Sequence, residues 1–317
     1  MLGETNSVSG LAGRRQEDSI PAAITDIGCE REINEDRYAV VDCPAGRVWL
    51  VCDGMGGSLG GELAAQLAID AIKRALESRQ FDNAEEALCF AIEEANRTIV
   101  LRRQNPAFSS MGTTIVAVII KDEQVVVTHA GDSRAYIVRG GEIQQLTVDH
   151  TYVQDLVDRG AINAEEALSH PQSHVLTRCL GAEPRLELEC QTYWLWESTN
   201  GEPEDRLVLC SDGLYSLVSD REIAEAVTKY SPQESCVQLV ELSKSRGGYD
   251  NITMAVLPLP GQLHEESPGV TVRKGGRRLG SAMRIREGYS NWRLLIWGAL
   301  VAVLGMIMAV AVVMFSE

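Results

Sequence analysis

In this chain carboxylates stand beside turns at the ends of apolar runs, where oxygen ligands for a hard cation belong. The clearest is Asp53 in VCDGMGG, where the run Val48 to Cys52 carries into Asp53 and then into Gly54-Met55-Gly56-Gly57. Taken singly, an Asp-Gly pair of this kind is most often only a turn. Further stretches repeat the arrangement. ITDIGCEREINED sets Arg31 ahead of Glu35 and Asp36, and THAGDSR puts Asp132 at a strand-to-strand turn. LVLCSDGL runs out into Ser211-Asp212-Gly213, and GGYDNIT opens a last strand with Asp250-Asn251. No His/Cys ligand spacing accompanies them, so oxygen-only ligation selects Mg²⁺ or Mn²⁺ over zinc. Carboxylates gathered this way repel one another strongly unless cations stand between them.

Composition narrows the classes. The 317 residues, with 45% hydrophobic and 23% charged side chains, are enough for one large domain or two. A formal net charge of -16 and a pI near 4.8 disfavour a nucleic-acid groove and a metal-dependent nuclease. The eight cysteines show no CxxC and read as small buried hydrophobes in a reducing compartment. Residues 1–19 are polar, without an apolar core of signal-peptide length. At the other end, Leu294 to Phe315 runs without a charge, about 33 Å as a helix, and reads as a transmembrane span. Arg273, Lys274, Arg277, Arg278, Arg284, Arg286 and Arg293 precede it, which predicts a cytoplasmic domain on a single-pass anchor in the plasma membrane. Residues 259–293 read as a basic linker that joins the domain to the span.

Between residues 20 and 258 the elements interleave as one globular unit. β-like runs occur at 36–43, 47–52, 112–121, 124–130, 134–139, 186–196, 206–210 and 251–257, with tight turns at Lys121-Asp122-Glu123 and Arg139-Gly140-Gly141. Helical periodicity covers 59–78 and 83–103, then 151–159, 220–229 and 232–246. A helix pair, a run of antiparallel strands, a second helix pair and a closing strand predict helices on both outer faces of an antiparallel sandwich, an α+β fold.

The same motifs, in this order over residues 20–257, resemble the metal-dependent protein serine/threonine phosphatases of type 2C in their bacterial form. The resemblance implies a four-layer α-β-β-α sandwich. It implies two Mn²⁺ or Mg²⁺ ions bridged by Asp53, with the Gly54 carbonyl holding one of them. Asp212 and Asp250 then complete the first ion's shell, and Glu35 and Asp36 hold the second directly or through water. Asp132 with Asp212 matches the position of a third, weaker ion. Arg31 matches the arginine that grips the substrate phosphate. The implied reaction is hydrolysis of phosphoserine and phosphothreonine in phosphorylated proteins by direct attack of a metal-bridging water, opposing a serine/threonine kinase at the membrane.

One position departs from animal members of the family, which carry a histidine where this chain has Met55; a thioether cannot protonate the leaving hydroxyl. Residues 147–181 resemble the bacterial family's flap, a lid governing access. His150, His170 and His174 lie within it and read as structural or surface residues, since Pro171 argues against a metal-binding helix. Thr113 and Thr114 read as strand residues rather than nucleophiles. A rival catalyst is Cys179-x5-Arg185, the spacing of cysteine-dependent phosphatases, but Glu183 places a negative charge in that cradle and Pro184 removes a donor. A non-catalytic phosphoprotein-docking domain would lack one of the carboxylates, and none is missing.

Overall fold

The strand runs pair antiparallel throughout the computed structural model, which describes residues 18–57, 60–197 and 205–265. In chain order the strands are β1 (Ala22–Asp26), β2 (Arg37–Cys43), β3 (Gly46–Cys52), β4 (Gly54–Met55), β5 (Gly112–Thr113), β6 (Ile115–Lys121) and β7 (Gln124–Ala130). They continue with β8 (Arg134–Arg139), β9 (Glu142–Gln145), β10 (Cys190–Trp196), β11 (Arg206–Cys210), β12 (Ile252–Pro258) and β13 (Gln262–His264). The helices are α1 (Gly60–Ser78), α2 (Ala84–Arg102), α3 (Tyr152–Asp158), α4 (Ala164–Leu168), α5 (Asp212–Tyr215), α6 (Asp220–Lys229) and α7 (Pro232–Ser245). One sheet has the order β1-β12-β11-β8-β9, the other β13-β10-β7-β6-β3-β2, and β4-β5 is a small separate ribbon.

Period-2 alternation explains the layering. On β3, Trp49 and Val51 face the other sheet and join Val116, Val118, Leu207, Leu209 and Ala255 in a core between the sheets. Their neighbours Val48, Leu50 and Cys52 face outward and meet the alanine-rich faces of α1 and α2, among them Ala64, Ala68, Ala87 and Ala91. A third core packs Val208, Cys210 and Met254 of the five-stranded sheet against Ile223, Leu239 and Val240 of α6 and α7. A strand covered on both faces carries no polar alternation, which is why these segments read as unbroken apolar runs. The helix starts follow local chemistry: Asn83 caps α2, and Ser219/Glu222 and Ser231/Glu234 form capping boxes on α6 and α7, the latter with Pro232 in the first turn.

Several features differ from the sequence expectation. The run 112–121 is broken at Thr114, whose hydroxyl and amide turn aside to bond Asp53 and Ser133. The strand expected from 186 begins at Cys190, and α4, β1 and β9 are too short or too mixed in pattern to stand out. β13 lies inside the stretch read as linker: it pairs with β10, with Trp194 opposite His264. Cys89 of α2 and Cys190 of β10 are joined in a disulfide, against the expectation of free thiols throughout; Cys52, Cys210 and Cys236 are the buried thiols expected. Among the described residues no helix is long and apolar enough to cross a membrane, and the apolar run 294–315 lies outside them.

β13 is secured by a buried carboxylate. Asp205, with no exposed surface, takes both nitrogens of an Arg139 fork at 2.6 and 2.7 Å and the Leu263 amide at 2.6 Å, while Arg139 also donates to the Leu263 carbonyl. Removing Asp205 strands the Leu263 amide and takes two charge-assisted bonds from Arg139, whose own side chain is 38% exposed, a loss of about 1.5–3 kcal/mol. Asp205→Ala is therefore expected to lower the unfolding free energy by about that amount in urea denaturation, while Asp42→Ala, which breaks an exposed pair with Arg47, leaves the urea midpoint nearly unchanged.

Candidate active site

Strand register brings the carboxylates to one end of the sandwich. Asp26 of β1 is opposite Ile252 of β12, so the loop 27–36 leaves beside Asp250 and Asn251. Cys210 of β11 is opposite both Met254 and Arg134, which sets Asp212 next to the Asp132 turn and the start of β12. Cys52 is opposite Arg37, which sets Asp53 next to Asp36. Five loops from both sheets thus converge.

Each acidic residue is held through its backbone or its neighbours. The Asp53 carbonyl accepts from the Thr114 amide at 2.8 Å and the Thr113 hydroxyl at 2.9 Å, and the Thr114 hydroxyl accepts from the Asp53 amide. These are the roles of the two threonines. Tyr215, a turn beyond Asp212, donates its hydroxyl to the Asp132 carbonyl at 3.0 Å. Gly54 packs backbone to backbone on Gly61 and on Glu35, so closely that a Cβ there would strike the Gly61 carbonyl. Asp36 is wholly buried and accepts from the Ser211 hydroxyl at 2.7 Å. Arg31, half-exposed at the rim, donates to Asp250 at 2.7 Å.

Electrostatics record the convergence. Burial, then the charges of Asp36, Asp212, Asp132 and Asp250, holds Asp53 well above the usual carboxylate range. Burial first, then Asp250, raises Asp212, while Asp53, His174 and Arg31 pull it down. Asp132 is pushed up to about 7 by burial and then by Asp212 and Asp149, and Asp36 up to about 8 by burial, against the Ser211 and Thr253 hydrogen bonds. Burial also raises Glu35, opposed by Arg31 and by the Gly61 and Glu62 amides at the start of α1.

Among the described residues no three His, Cys, Asp or Glu side chains form a group tight enough to hold a metal ion as they stand. The physical reason is their present partners: Asp250 is bonded to Arg31, Asp36 to Ser211, and Glu35 leans on the α1 amides. Two buried oxygens among the described residues nonetheless have no hydrogen-bond partner, Glu35 Oε1 and Asp212 Oδ1. Orphaned carboxylate oxygens inside a repelling acidic cluster are the donor chemistry of a hard divalent cation, and the residues fit one.

The cysteine rival is not supported by its surroundings. Burial raises Cys179 above its ordinary value, which disfavours thiolate. The loop's donors are already used: Leu180 pairs with Thr113 through both backbone bonds, and Asn96 takes the Gly181 amide and donates to the Glu183 carbonyl. In the segment 147–181, Arg134 holds Asp149 with three contacts of 2.7–3.1 Å. His150 stacks on His129 at 4.3 Å and accepts from the Gly131 amide; burial lowers it to about 3, so it is a neutral structural residue. Ser211, Tyr215 and Asn251 also belong to the site's framework. Ser211 and Asn251 flank Asp212 and Asp250 in the sequence motifs; Tyr215 carried no sequence signal.

A family model described as protein phosphatase 2C matches residues 30–244. The serine/threonine protein phosphatase PstP of Mycobacterium tuberculosis is 39% identical over 237 residues, 74% of this chain and 44% of that protein. The protein phosphatase PhpP of Streptococcus pneumoniae is 34% identical over 241 residues, 74% of this chain and 96% of that protein. A crystal structure of the catalytic domain of PstP in complex with 2 manganese ions superposes with a TM-score of 0.63 at 35% identity, covering 75% of this chain and 96% of that one. The chain belongs to the protein phosphatase 2C family. It spans less than half the length of the M. tuberculosis relative and nearly all of the S. pneumoniae one.

The raised carboxylates make stability depend on pH. In the unfolded chain Asp36 and Asp132 titrate near ~4, so between ~4 and about 8 the folded protein holds more protons and loses stability as pH rises. In chelator, the urea midpoint is expected to fall from pH 5 to pH 8.5, and Asp36→Asn, neutral at every pH, should flatten the fall. A midpoint that climbs over that interval contradicts the assignment.

Proposed function

We propose that this chain is a protein serine/threonine phosphatase that requires Mn²⁺ or Mg²⁺ and acts on phosphoserine and phosphothreonine in phosphorylated proteins. The observation that carries the reading is the desolvated cluster of Asp53, Asp212, Asp132 and Glu35 with two unpartnered oxygens, beside the exposed guanidinium of Arg31. The 2 manganese ions held by the related PstP domain favour two such ions here. Glu35, Asp36, Asp53, the Gly54 carbonyl, Asp212 and Asp250 are the ligands we assign to them, with Asp132 and Asp212 for a third, weaker ion. When bound, such ions supply Lewis-acid charge to phosphoryl oxygens and lower the pKa of water.

The chain's own side chains supply the rest. Arg31 offers a planar fork to phosphate oxygens, where charge resides in the transition state. Its pairing with Asp250 keeps the guanidinium at the mouth of the cluster. The leaving serine or threonine oxygen needs a proton, and Met55 on β4 has none to give. The framework bonds from Thr113, Thr114 and Ser211 hold the carboxylates in place, so that little reorganisation accompanies the reaction.

The apolar run 294–315 and the basic residues before it support a single-pass anchor with the phosphatase domain in the cytoplasm, where a membrane serine/threonine kinase or its targets would be the phosphoproteins met. Protease added outside intact cells is expected to leave the domain whole; digestion there reverses the orientation.

The activity test uses the full chain and a phosphothreonine peptide. Hydrolysis is expected with Mn²⁺, with loss in chelator and a fall of at least about 10³-fold in kcat for Asp53→Asn. Arg31→Ala should raise KM for the peptide and lower kcat/KM by about 10–100-fold, roughly 1.4–2.7 kcal/mol of transition-state binding. Activity that survives chelator, or loss in Cys179→Ser with Asp53→Asn unaffected, overturns the reading.

A further inference from the structure

Asp250 is followed by a residue that the proposed chemistry does not use. Asn251 is 3% exposed, and its side-chain amide makes three hydrogen bonds to one loop. Its Oδ1 accepts from the Glu35 amide at 2.7 Å, and its Nδ2 donates to the Ile27 carbonyl at 2.9 Å and the Ile33 carbonyl at 3.1 Å. The loop from 27 to 35 has no regular secondary structure, yet it carries Arg31 and Glu35. A single planar amide therefore closes it at both ends.

The same residue touches the other side of the site through its backbone. Its amide donates to the Asp250 carboxylate at 2.8 Å. Its carbonyl lies so close to Gly213, the neighbour of Asp212, that a Cβ on Gly213 would overlap it. Four residues of the proposed chemistry, Arg31, Glu35, Asp212 and Asp250, thus take their positions from one buried side chain and its peptide group.

We infer that Asn251 is the positioning residue that sets the Arg31–Glu35 loop against Asp212 and Asp250, coupling phosphate capture to cation binding; the inference rests on the phosphatase reading above. Asparagine suits the role because it offers an acceptor and two donors in one plane, which neither aspartate nor threonine does. A residue that only filled space would affect stability alone. A positioning residue alters two functions at once, the affinity for cation through Glu35 and for substrate through Arg31.

The test compares the full chain with Asn251→Ala and, as a stability-matched control, Val240→Ala in the core under α7, far from the site. Mn²⁺ binding is measured by electron paramagnetic resonance, and kcat and KM for a phosphothreonine peptide at saturating Mn²⁺. For Asn251→Ala a rise of about fivefold or more in the Mn²⁺ dissociation constant and in peptide KM is expected, and for Val240→Ala a lowered melting temperature with both constants unchanged. Asn251→Ala that melts lower but binds Mn²⁺ and peptide like the unaltered chain overturns the inference. Hydrogen exchange of the Glu35 amide in the unaltered chain needs no variant: protection comparable to β12 amides is expected, and free exchange overturns it. An unaltered chain without Mn²⁺-dependent hydrolysis refutes the phosphatase reading instead, while the Glu35 amide measurement still reports on the loop.

Discussion

Like charge gathered in a desolvated space is the constraint that the rest of this molecule accommodates. Asp53 feels Asp36, Asp132, Asp212 and Asp250 together, and burial removes the water that would otherwise screen them. No single hydrogen bond offsets such repulsion. What opposes it is the three-layered apolar packing that fixes the strands, because the carboxylates sit at strand ends and cannot separate without pulling those strands out of register. The free energy of the cores thereby holds together an acidic cluster that would otherwise fly apart.

Neutral residues do the holding. Thr113 and Thr114 bind the Asp53 backbone, Ser211 binds the Asp36 carboxylate, Tyr215 binds the Asp132 carbonyl, and Asn251 binds the loop of Glu35. A framework of cations would neutralise the cluster. Hydroxyls and amides satisfy the backbone while leaving the negative charge in place, and Arg31 stands beside it at the exposed rim. Two part-buried arginines have carboxylate partners outside the cluster: Arg134 pairs with Asp149 at the root of the 147–181 segment, and Arg139 with Asp205 beneath β13.

Much of the fold was legible because both halves of the signal are local. The apolar runs of β3, β6, β7, β11 and β12 and the periodicity of α1, α2, α6 and α7 follow from which faces are covered. The acidic residues announced themselves by standing where those runs end. What escaped notice was either too short for periodicity, as with β1, β9 and α4, or depended on a distant partner. β13 is a strand only because β10 offers an edge and Asp205 a buried anchor. Cys89 and Cys190 are far apart in sequence, so spacing said nothing of their pairing.

The sequence by itself determined the chemical type of the site, carboxylates at strand ends with one arginine ahead of them, because residue type and proximity to a strand end are local facts. It also marked Met55 as unable to supply a proton. Only the tertiary structure decided which carboxylate faces which. Asp36 is drawn inward to Ser211, 175 residues away, and Asn251 reaches back to Glu35 across 216. Antiparallel register and sheet stacking create those meetings, and no spacing along the chain encodes them.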